Sequence, residues 1–114
     1  MHSYLPDRGH VVWLNFSPQS GHEQAGKRPA VVVSSIEYNK RSGLALFCPI
    51  TNQIKGYPFE VLIPDRQNIR GAVLADQVKS FDWRAREVKV VEKMSTHITE
   101  VVINKISLLL EIKK

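Results

Sequence analysis

A carboxylate and two adjacent cations lie in a short polar segment, Gly21 to Pro29, which leads directly into an apolar run. Four residues separate Glu23 from Arg28, and Lys27 stands beside the arginine. A loop with one end anchored in a buried strand is a common way to present reactive groups. One carboxylate can move a proton and two cations can bind negative charge, so the segment would suit a phosphodiester. The residues alone leave an equal alternative, a solvated connection with ordinary surface charges.

A second polar group follows the apolar run from Leu44 to Ile50, which reads as a strand. It begins with Thr51 and Asn52. Hydroxyl and amide groups at a strand end can hydrogen-bond phosphate oxygens or base edges. The alternative is that the group simply opens a polar loop.

A third candidate surface combines Ala75 to Ser80 with the segment Trp83-Arg84-Ala85-Arg86. Basic side chains beside an aromatic ring are typical of proteins that bind single-stranded nucleic acid. Arg84 and Arg86 share one face if the segment is extended. A packed Trp83 with solvated arginines is an equally good interpretation.

Composition narrows the class of protein. We expect the 114 residues to form one domain, 1–114, and the net charge of +5 favours an anionic partner such as nucleic acid. The single cysteine, Cys48, excludes an intrachain disulfide and should be a buried, inert thiol in a reducing compartment. With no apolar signal core and no run as long as a membrane span, we expect a soluble cytoplasmic protein without membrane contact. Glu23 with His22 is not a metal-binding pattern, so no metal is expected.

Short runs rich in β-forming residues recur along the chain at the intervals of a small barrel or sandwich. Ile98, Val102, Ile106 and Leu109, broadened by Val101 and Leu110, form a stripe with helical spacing that should pack on the barrel. Ser95 or Thr96 is a suitable N-cap for this C-terminal helix of roughly four turns. Strands are predicted at 11–16, 29–34, 44–50, 59–63 and 71–74, with a further candidate at 87–91 and a helical turn at 36–41.

The chain resembles the MazF/PemK family of toxin endoribonucleases over nearly its whole length. The order and spacing of the matching blocks are far more specific than any single block. They are Tyr4 to Gly9, Glu23 to Val32, Lys55 to Val61, Ala75 to Ser80 and Trp83 to Arg86.

The resemblance implies a mainly β fold: an SH3-like barrel of five to seven short strands with a C-terminal α-helix, working as a homodimer. It implies the toxin component of a type II toxin–antitoxin system, which cleaves single-stranded mRNA at a short sequence without metal or cofactor. The products would be a 2′,3′-cyclic phosphate and a 5′-hydroxyl, and translation and growth would stop. A cognate antitoxin would block the site.

The resemblance also implies roles for individual residues. Glu23, Arg28 and Thr51 would be catalytic: Glu23 accepts the 2′-proton, Arg28 stabilises the phosphorane, and Thr51 donates to a non-bridging oxygen. Further RNA contacts are expected from Gln24, Lys27, Asn52, Lys55, Gln77, Lys79, Arg84 and Arg86.

Some positions depart from the family pattern. His22 and Lys27 occupy variable positions, and Asn52 replaces a common second hydroxyl residue. These differences should alter sequence preference and leave the catalytic group in place.

Two alternative functions fit a basic barrel. The first is a gyrase-poisoning binding module of the CcdB type, which acts through a tryptophan-containing tail; this chain ends at Leu110 to Lys114 without one. The second is a non-catalytic RNA-binding barrel, which would not need Glu23, Arg28 and Thr51 together.

Overall fold

The computed structural model describes residues 4–17, 21 and 26–111, and these form a sheet with two α-helices. A single 3₁₀ turn at Ala75–Gln77 joins two of the strands. In chain order the elements are β1 (His10–Asn15), β2 (Lys27–Val32), α1 (Ile36–Ser42), β3 (Leu44–Thr51), β4 (Glu60–Leu62), β5 (Ala72–Leu74), β6 (Lys79–Asp82), β7 (Lys89–Lys93) and α2 (Thr96–Leu109).

The seven strands form one antiparallel sheet in the order β4-β5-β3-β2-β1-β7, and β6 also pairs with β3. β3 is the central strand: its first half pairs with β6 and its last two residues pair with β5. Pro49 lies between these two stretches, where a residue without an N–H is tolerated because the ladder is interrupted. The 3₁₀ turn joins β5 to β6 beside this interruption.

Two apolar clusters fill the fold, one on each face of the central strands. Val31, Cys48 and Ile50 belong to the cluster beneath α2, whereas Val32 and Phe47 belong to the other. The alternation of side chains along β2 and β3 explains this division, because neighbouring residues in a strand point to opposite faces. Both faces of these strands are therefore buried, as expected for the centre of a sheet.

The C-terminal helix begins as predicted at Ser95, whose side chain accepts a hydrogen bond from the N–H of Ile98. Val102 is fully buried against the cluster beneath α2. The predicted stripe does not pack along its whole length, since Leu109 and Leu110 are exposed. Neither helix in the described ranges has the length and apolar character needed to cross a membrane.

One strand was missing from the sequence-based prediction. The segment 76–86 reads as mixed and polar, yet it contains β6, whose four residues are Lys-Ser-Phe-Asp. This strand buries little apolar surface and exists because it pairs with Leu44–Phe47 of β3. A pairing between distant segments leaves no periodic signal in the sequence of the weaker partner.

Candidate functional site

Strand register brings two of the predicted catalytic residues together. β2 and β3 are antiparallel, and the last pair of their ladder sets Ala30 opposite Pro49. Arg28 and Thr51 each lie two residues beyond that pair, within β2 and β3, so the alternation of side chains puts them on the face of Ala30 and Pro49. Opposed residues of an antiparallel pair share a face, with their Cβ atoms about 4.5–5.5 Å apart. The sheet therefore directs Arg28 and Thr51 from the same face at the end of the β2–β3 pair.

Lys79 joins the same face from a third strand. It is paired with Phe47, which lies four residues before Thr51 on β3 and so on the same side of that strand. Gln77 ends the 3₁₀ turn just before β6 and is half-buried. We call Arg28, Thr51 and Lys79 the sheet-end group; its guanidinium, hydroxyl and ammonium are the groups that commonly bind phosphate oxygens.

The backbone of Thr51 is fixed by a close approach from the neighbouring strand. A Cβ built on Gly71 would lie 2.0 Å from the carbonyl oxygen of Thr51, and the φ of this glycine is +120°. Its own carbonyl accepts from the N–H of Ile63 at 3.0 Å. Only glycine fits here, because any side chain would displace the Thr51 carbonyl. In the sequence alone, Gly71 reads as an ordinary strand residue.

Thr51 itself is buried, with 6% of its surface exposed. Its Oγ1 accepts a hydrogen bond from the N–H of Gln53 at 3.1 Å. Because that contact uses an acceptor site of the hydroxyl, the O–H remains a donor. The hydroxyl can thus donate to a phosphate oxygen of a bound RNA.

Asn52 and Lys55 lie on an exposed loop, residues 52–58, between β3 and β4. The carboxylate of Glu60 accepts from two backbone groups of this loop: Oε2 from the N–H of Lys55 at 2.9 Å, and Oε1 from the N–H of Gly56 at 2.7 Å. A carboxylate on two N–H groups makes charge-assisted hydrogen bonds, which are stronger than neutral ones. The sequence places Glu60 in a predicted strand and indicates no further role for it.

Two more contacts attach the loop to the rest of the fold. The hydroxyl of Tyr57 donates to Oδ1 of Asp76 at 2.8 Å, and Nζ of Lys105 on α2 donates to the carbonyl of Pro58 at 2.7 Å. Burial, followed by the hydrogen bond to Asp76, raises the pKa of Tyr57 to about 12. The phenol therefore remains a donor at neutral pH.

A separate groove of about 1260 Å³ contains three other predicted RNA contacts, Lys27, Arg84 and Arg86. Trp13 and Lys89, which are paired across β1 and β7, also line it. The groove is basic and carries an indole that is 45% exposed, a combination suited to single-stranded nucleic acid. Among the described residues, the other predicted contacts lie outside this groove.

The two arginines of the groove differ in their surroundings. Arg84 is exposed, with its guanidinium 4.9 Å from the ring centroid of Trp83. Arg86 lies 4.4 Å over Phe81, and its Nη1 donates to the carbonyls of Asn15 and Ser17 at 2.8 and 2.9 Å. Arg84 and Arg86 would share a face only in an extended segment, but residues 83–87 form a turn. Arg86 joins this turn to the end of β1.

The turn is fixed from beneath by two buried polar contacts. Trp83 is 2% exposed, and its Nε1 donates to the carbonyl of Asn39 at 3.0 Å. The Asn39 side chain is fully buried and donates to the carbonyl of Pro6 at 2.8 Å. The buried polar side chains beneath the turn are therefore hydrogen-bonded. Removal of either partner would leave a buried polar group unsatisfied, which is costly.

The N-terminal arm forms part of the groove through Tyr4. Nδ1 of His10 contacts the Tyr4 hydroxyl at 2.7 Å and accepts from the N–H of Asp7 at 3.2 Å. Since Nδ1 is an acceptor, the neutral ring carries its proton on Nε2. Burial lowers the pKa of His10 below its usual value, and Lys93 lowers it further, against an opposing effect of Asp7.

Part of the predicted active loop, residues 22–25, lies outside the described part of the chain. It includes Glu23 and Gln24, the predicted base and one RNA contact, and His22. Within the described ranges, no cluster of three or more His, Cys, Asp or Glu side chains could bind a metal ion. Cys48 is buried as expected, and burial followed by Asp76 raises its pKa to about 12, which leaves the thiol protonated.

Fold and site together define a class of bacterial toxin. The family described as PemK-like, MazF-like toxin of type II toxin–antitoxin system matches residues 7–110, and the chain belongs to this family. Among its relatives is the endoribonuclease toxin MazF of Escherichia coli K12, 53% identical over 83 residues, which are 73% of this chain and 74% of that protein.

Solved structures of MazF proteins superpose closely on this chain. MazF from Deinococcus radiodurans superposes with a TM-score of 0.90 at 47% identity, covering 95% of this chain and 98% of that one. A MazE–MazF structure from the same organism gives a TM-score of 0.84 at 40% identity, covering 97% of this chain and 100% of that one. The predicted family and fold class are thereby confirmed, and the relative's name agrees with the predicted enzyme class, endoribonuclease.

Proposed function

We propose that this chain is the toxin of a type II toxin–antitoxin system, a sequence-specific and metal-independent endoribonuclease that cleaves single-stranded mRNA in the cytoplasm. Cleavage would stop translation and growth. The observation that carries the proposal is that β2 and β3 present Arg28 and Thr51 on one face, each two residues beyond the pair of Ala30 and Pro49, with Lys79 on the same face, in a member of this toxin family.

The reaction is a transesterification within the RNA. The 2′-oxygen attacks the adjacent phosphorus, the bond from phosphorus to the 5′-oxygen breaks, and a 2′,3′-cyclic phosphate and a 5′-hydroxyl result. Glu23 accepts the 2′-proton, and the departing 5′-oxygen takes up a proton from water. Arg28 stabilises the negative charge of the phosphorane; its pKa is too high for an efficient acid. Thr51 donates to a non-bridging oxygen.

RNA contacts outside the reacting atoms come from the remaining predicted residues. Lys55 and Asn52 act from the loop, Lys27 and Arg84 from the groove, and Gln77 beside Lys79 from the 3₁₀ turn. Arg86 was predicted as a contact, but its bonds to Asn15 and Ser17 support a structural part as well. Gln24 completes the predicted set.

Two protein partners belong to the proposal. A cognate antitoxin is supported by the MazE–MazF structures, and the net charge of +5 favours an acidic segment in it. A second copy of the chain is supported by leucines that remain exposed on β4 and at the end of α2. These are Leu62, Leu108, Leu109 and Leu110.

The test is cleavage of a long defined RNA, with the 5′-hydroxyl ends mapped by primer extension. We expect cuts at one short sequence that persist in EDTA, and none when the nucleotide 5′ of the scissile phosphate is 2′-deoxy. Cutting of the deoxy substrate would refute the mechanism, and loss of cutting in EDTA would refute metal independence.

Arg28→Ala separates this enzyme from a non-catalytic RNA-binding barrel. We expect loss of an oxyanion-stabilising group to lower turnover on the order of 100-fold or more while the protein stays folded. A binding module would lose only affinity. Unchanged cleavage by Arg28→Ala would remove Arg28 from the catalytic group.

A further inference from the structure

We propose that Glu60 is a positioning residue for substrate selection: it fixes the 52–58 loop so that Asn52 and Lys55 meet the nucleotides beside the scissile phosphate. The inference rests on the proposed function, because it assumes that this loop contacts RNA. It concerns a carboxylate that the proposed chemistry does not use.

The geometry of Glu60 is that of a backbone clamp. Each carboxylate oxygen accepts one N–H from consecutive residues, Lys55 and Gly56, at 2.9 and 2.7 Å. Gly56 has a φ of +81° at this turn. Both oxygens are therefore engaged with the loop, and the bonds set the path of the backbone at Lys55.

Glu60 is itself held in a rigid place. It begins β4, where it is paired with Leu74 of β5, and its own N–H donates to the carbonyl of Tyr57 at 3.1 Å. Paired strands are poor at absorbing displacement, whereas an exposed loop is free to move. The carboxylate therefore holds the loop in a fixed position relative to the sheet.

Two further bonds attach the loop to different elements. Tyr57 is bonded to Asp76 of the 3₁₀ turn, and Lys105 of α2 is bonded to the carbonyl of Pro58. The loop is thus fixed from a strand, a turn and a helix, although most of its surface is exposed. Such an arrangement lowers the conformational entropy lost when a ligand binds.

This placement assigns Glu60 to selection and not to chemistry. Thr51 stands just before the loop, and Gly71 fixes its backbone. Among the described residues, its side chain is bonded to the loop through the N–H of Gln53, two residues before the Glu60 clamp at Lys55. Loosening the loop at Lys55 should therefore leave the reacting groups nearly in place. A disordered Lys55 would bind RNA more weakly and would tolerate more sequences. The expected defect is a raised KM and a relaxed sequence preference at nearly unchanged kcat.

Glu60→Gln is the sharpest variant, because the amide keeps one acceptor oxygen and places an NH₂ against a backbone N–H. Loss of one charge-assisted hydrogen bond should raise KM about tenfold, with kcat within about twofold. Asp65→Asn is the matched control: it makes the same change in net charge at a side chain that is 99% exposed, and KM should not change.

A double-mutant cycle tests whether Glu60 acts through the loop. If it does, Lys55→Ala should raise KM less in the Glu60→Gln background than in the parent, because the two changes affect one contact. Cleavage of an RNA library should show more secondary sites for Glu60→Gln than for Asp65→Asn. Thermal unfolding of all variants verifies that the fold is intact.

The outcomes distinguish failure of the Glu60 inference from failure of the proposed function. If Lys55→Ala raises KM and Glu60→Gln does not, the inference is wrong and the RNA-binding role of the loop stands. If Lys55→Ala leaves KM unchanged, the proposed RNA contact of the loop is wrong. A fall in kcat at unchanged KM for Glu60→Gln would overturn the positioning role and place Glu60 with the reacting groups.

Discussion

Thr51 of the sheet-end group directly precedes the 52–58 loop, but the group and the loop are fixed by different means. Arg28, Thr51 and Lys79 stand on three paired strands, and Gly71, just before β5, approaches the Thr51 carbonyl closely. The loop has no strand partner; side chains from outside it bind its backbone.

The difference matches what the two regions have to do. Groups that stabilise a phosphorane need positions accurate to a fraction of an ångström, which a hydrogen-bonded ladder supplies. Groups that choose among nucleotides need to vary between family members, and a loop fixed by a few side chains can change without disturbing the sheet. The sheet-end group should therefore govern turnover, whereas the loop should govern affinity and preference.

The largest expected effect comes from Gly71→Ala. A methyl group would meet the Thr51 carbonyl at 2.0 Å, so the threonine must shift. We expect kcat to fall on the order of 100-fold, comparable to the loss of one donor to the transition state, with little change in KM. Single-turnover cleavage of a saturating RNA measures it.

Gly43→Ala is the control for backbone strain at Gly71. Gly43 also has a positive φ, +75°, but nothing lies within 4 Å of an added Cβ. It should lower the free energy of unfolding by about 1 kcal/mol or somewhat more and leave kcat near the parent value. Equal losses of kcat in both variants would show that strain, and not the contact with Thr51, sets the rate.

The two groove arginines give the next contrast. Arg86→Ala removes two hydrogen bonds, one to Asn15 at the end of β1 and one to Ser17 just beyond it, and should lower the free energy of unfolding by about 1–3 kcal/mol, measured by urea denaturation. Arg84→Ala should change it by less than about 1 kcal/mol, since its guanidinium is exposed and packs over the Trp83 ring.

Salt titration of RNA affinity completes that contrast. If Arg84 contacts a phosphate, its removal should reduce the slope of log K against log salt concentration by about 0.7. An Arg84→Ala variant with the parent slope would remove this residue from the set of phosphate contacts and limit the groove to a structural part.

A smaller effect is expected at the second attachment of the loop. Tyr57→Phe removes the hydrogen bond to Asp76 and keeps the ring in place. Because the Glu60 and Lys105 contacts remain and the lost bond is exposed to solvent, KM should rise only about two- to fivefold with kcat unchanged. A kcat defect in steady-state cleavage would mean that the loop and the sheet-end group are not separable.

The smallest effect concerns pH and lies away from both regions. Burial lowers the pKa of His10, so the neutral ring stabilises the fold above its unfolded pKa, and this contribution is lost as pH falls below about 6.5. His10→Asn keeps an acceptor in nearly the same place and does not titrate. Urea denaturation between pH 7 and 5 should show a shallower loss of stability for the variant, and identical curves would contradict the prediction.

How much of this could be read from the sequence differs between the two regions. Apolar runs predicted strands at 29–34 and 44–50, each ending one residue short of Arg28 or Thr51, whereas the structure places both residues inside β2 and β3. α2 with its cap at Ser95 was predicted from its period. The register of β2 against β3, which puts Arg28 and Thr51 on one face, could not be predicted, because register between distant strands has no local signature. The catalytic roles came from a family resemblance and stay predictions.

The supporting residues were harder to find. Gly71 lies in a predicted strand, and nothing local indicates that the Thr51 carbonyl approaches it. Glu60 looked like one more residue of β4; a carboxylate four positions after a Lys-Gly pair was the available signal. Long-range contacts of a single side chain with a backbone are set by the whole fold, so sequence patterns do not reveal them.

The contrast between the two tryptophans has a spectroscopic consequence. Trp83 is 2% exposed beneath the arginine turn, whereas Trp13 is 45% exposed in the basic groove. Acrylamide should therefore quench the emission of Trp13 and spare that of Trp83, which provides a constant reference within the same spectrum. The protein thus carries its own optical reporter, with which occupation of the groove can be followed in unlabelled protein.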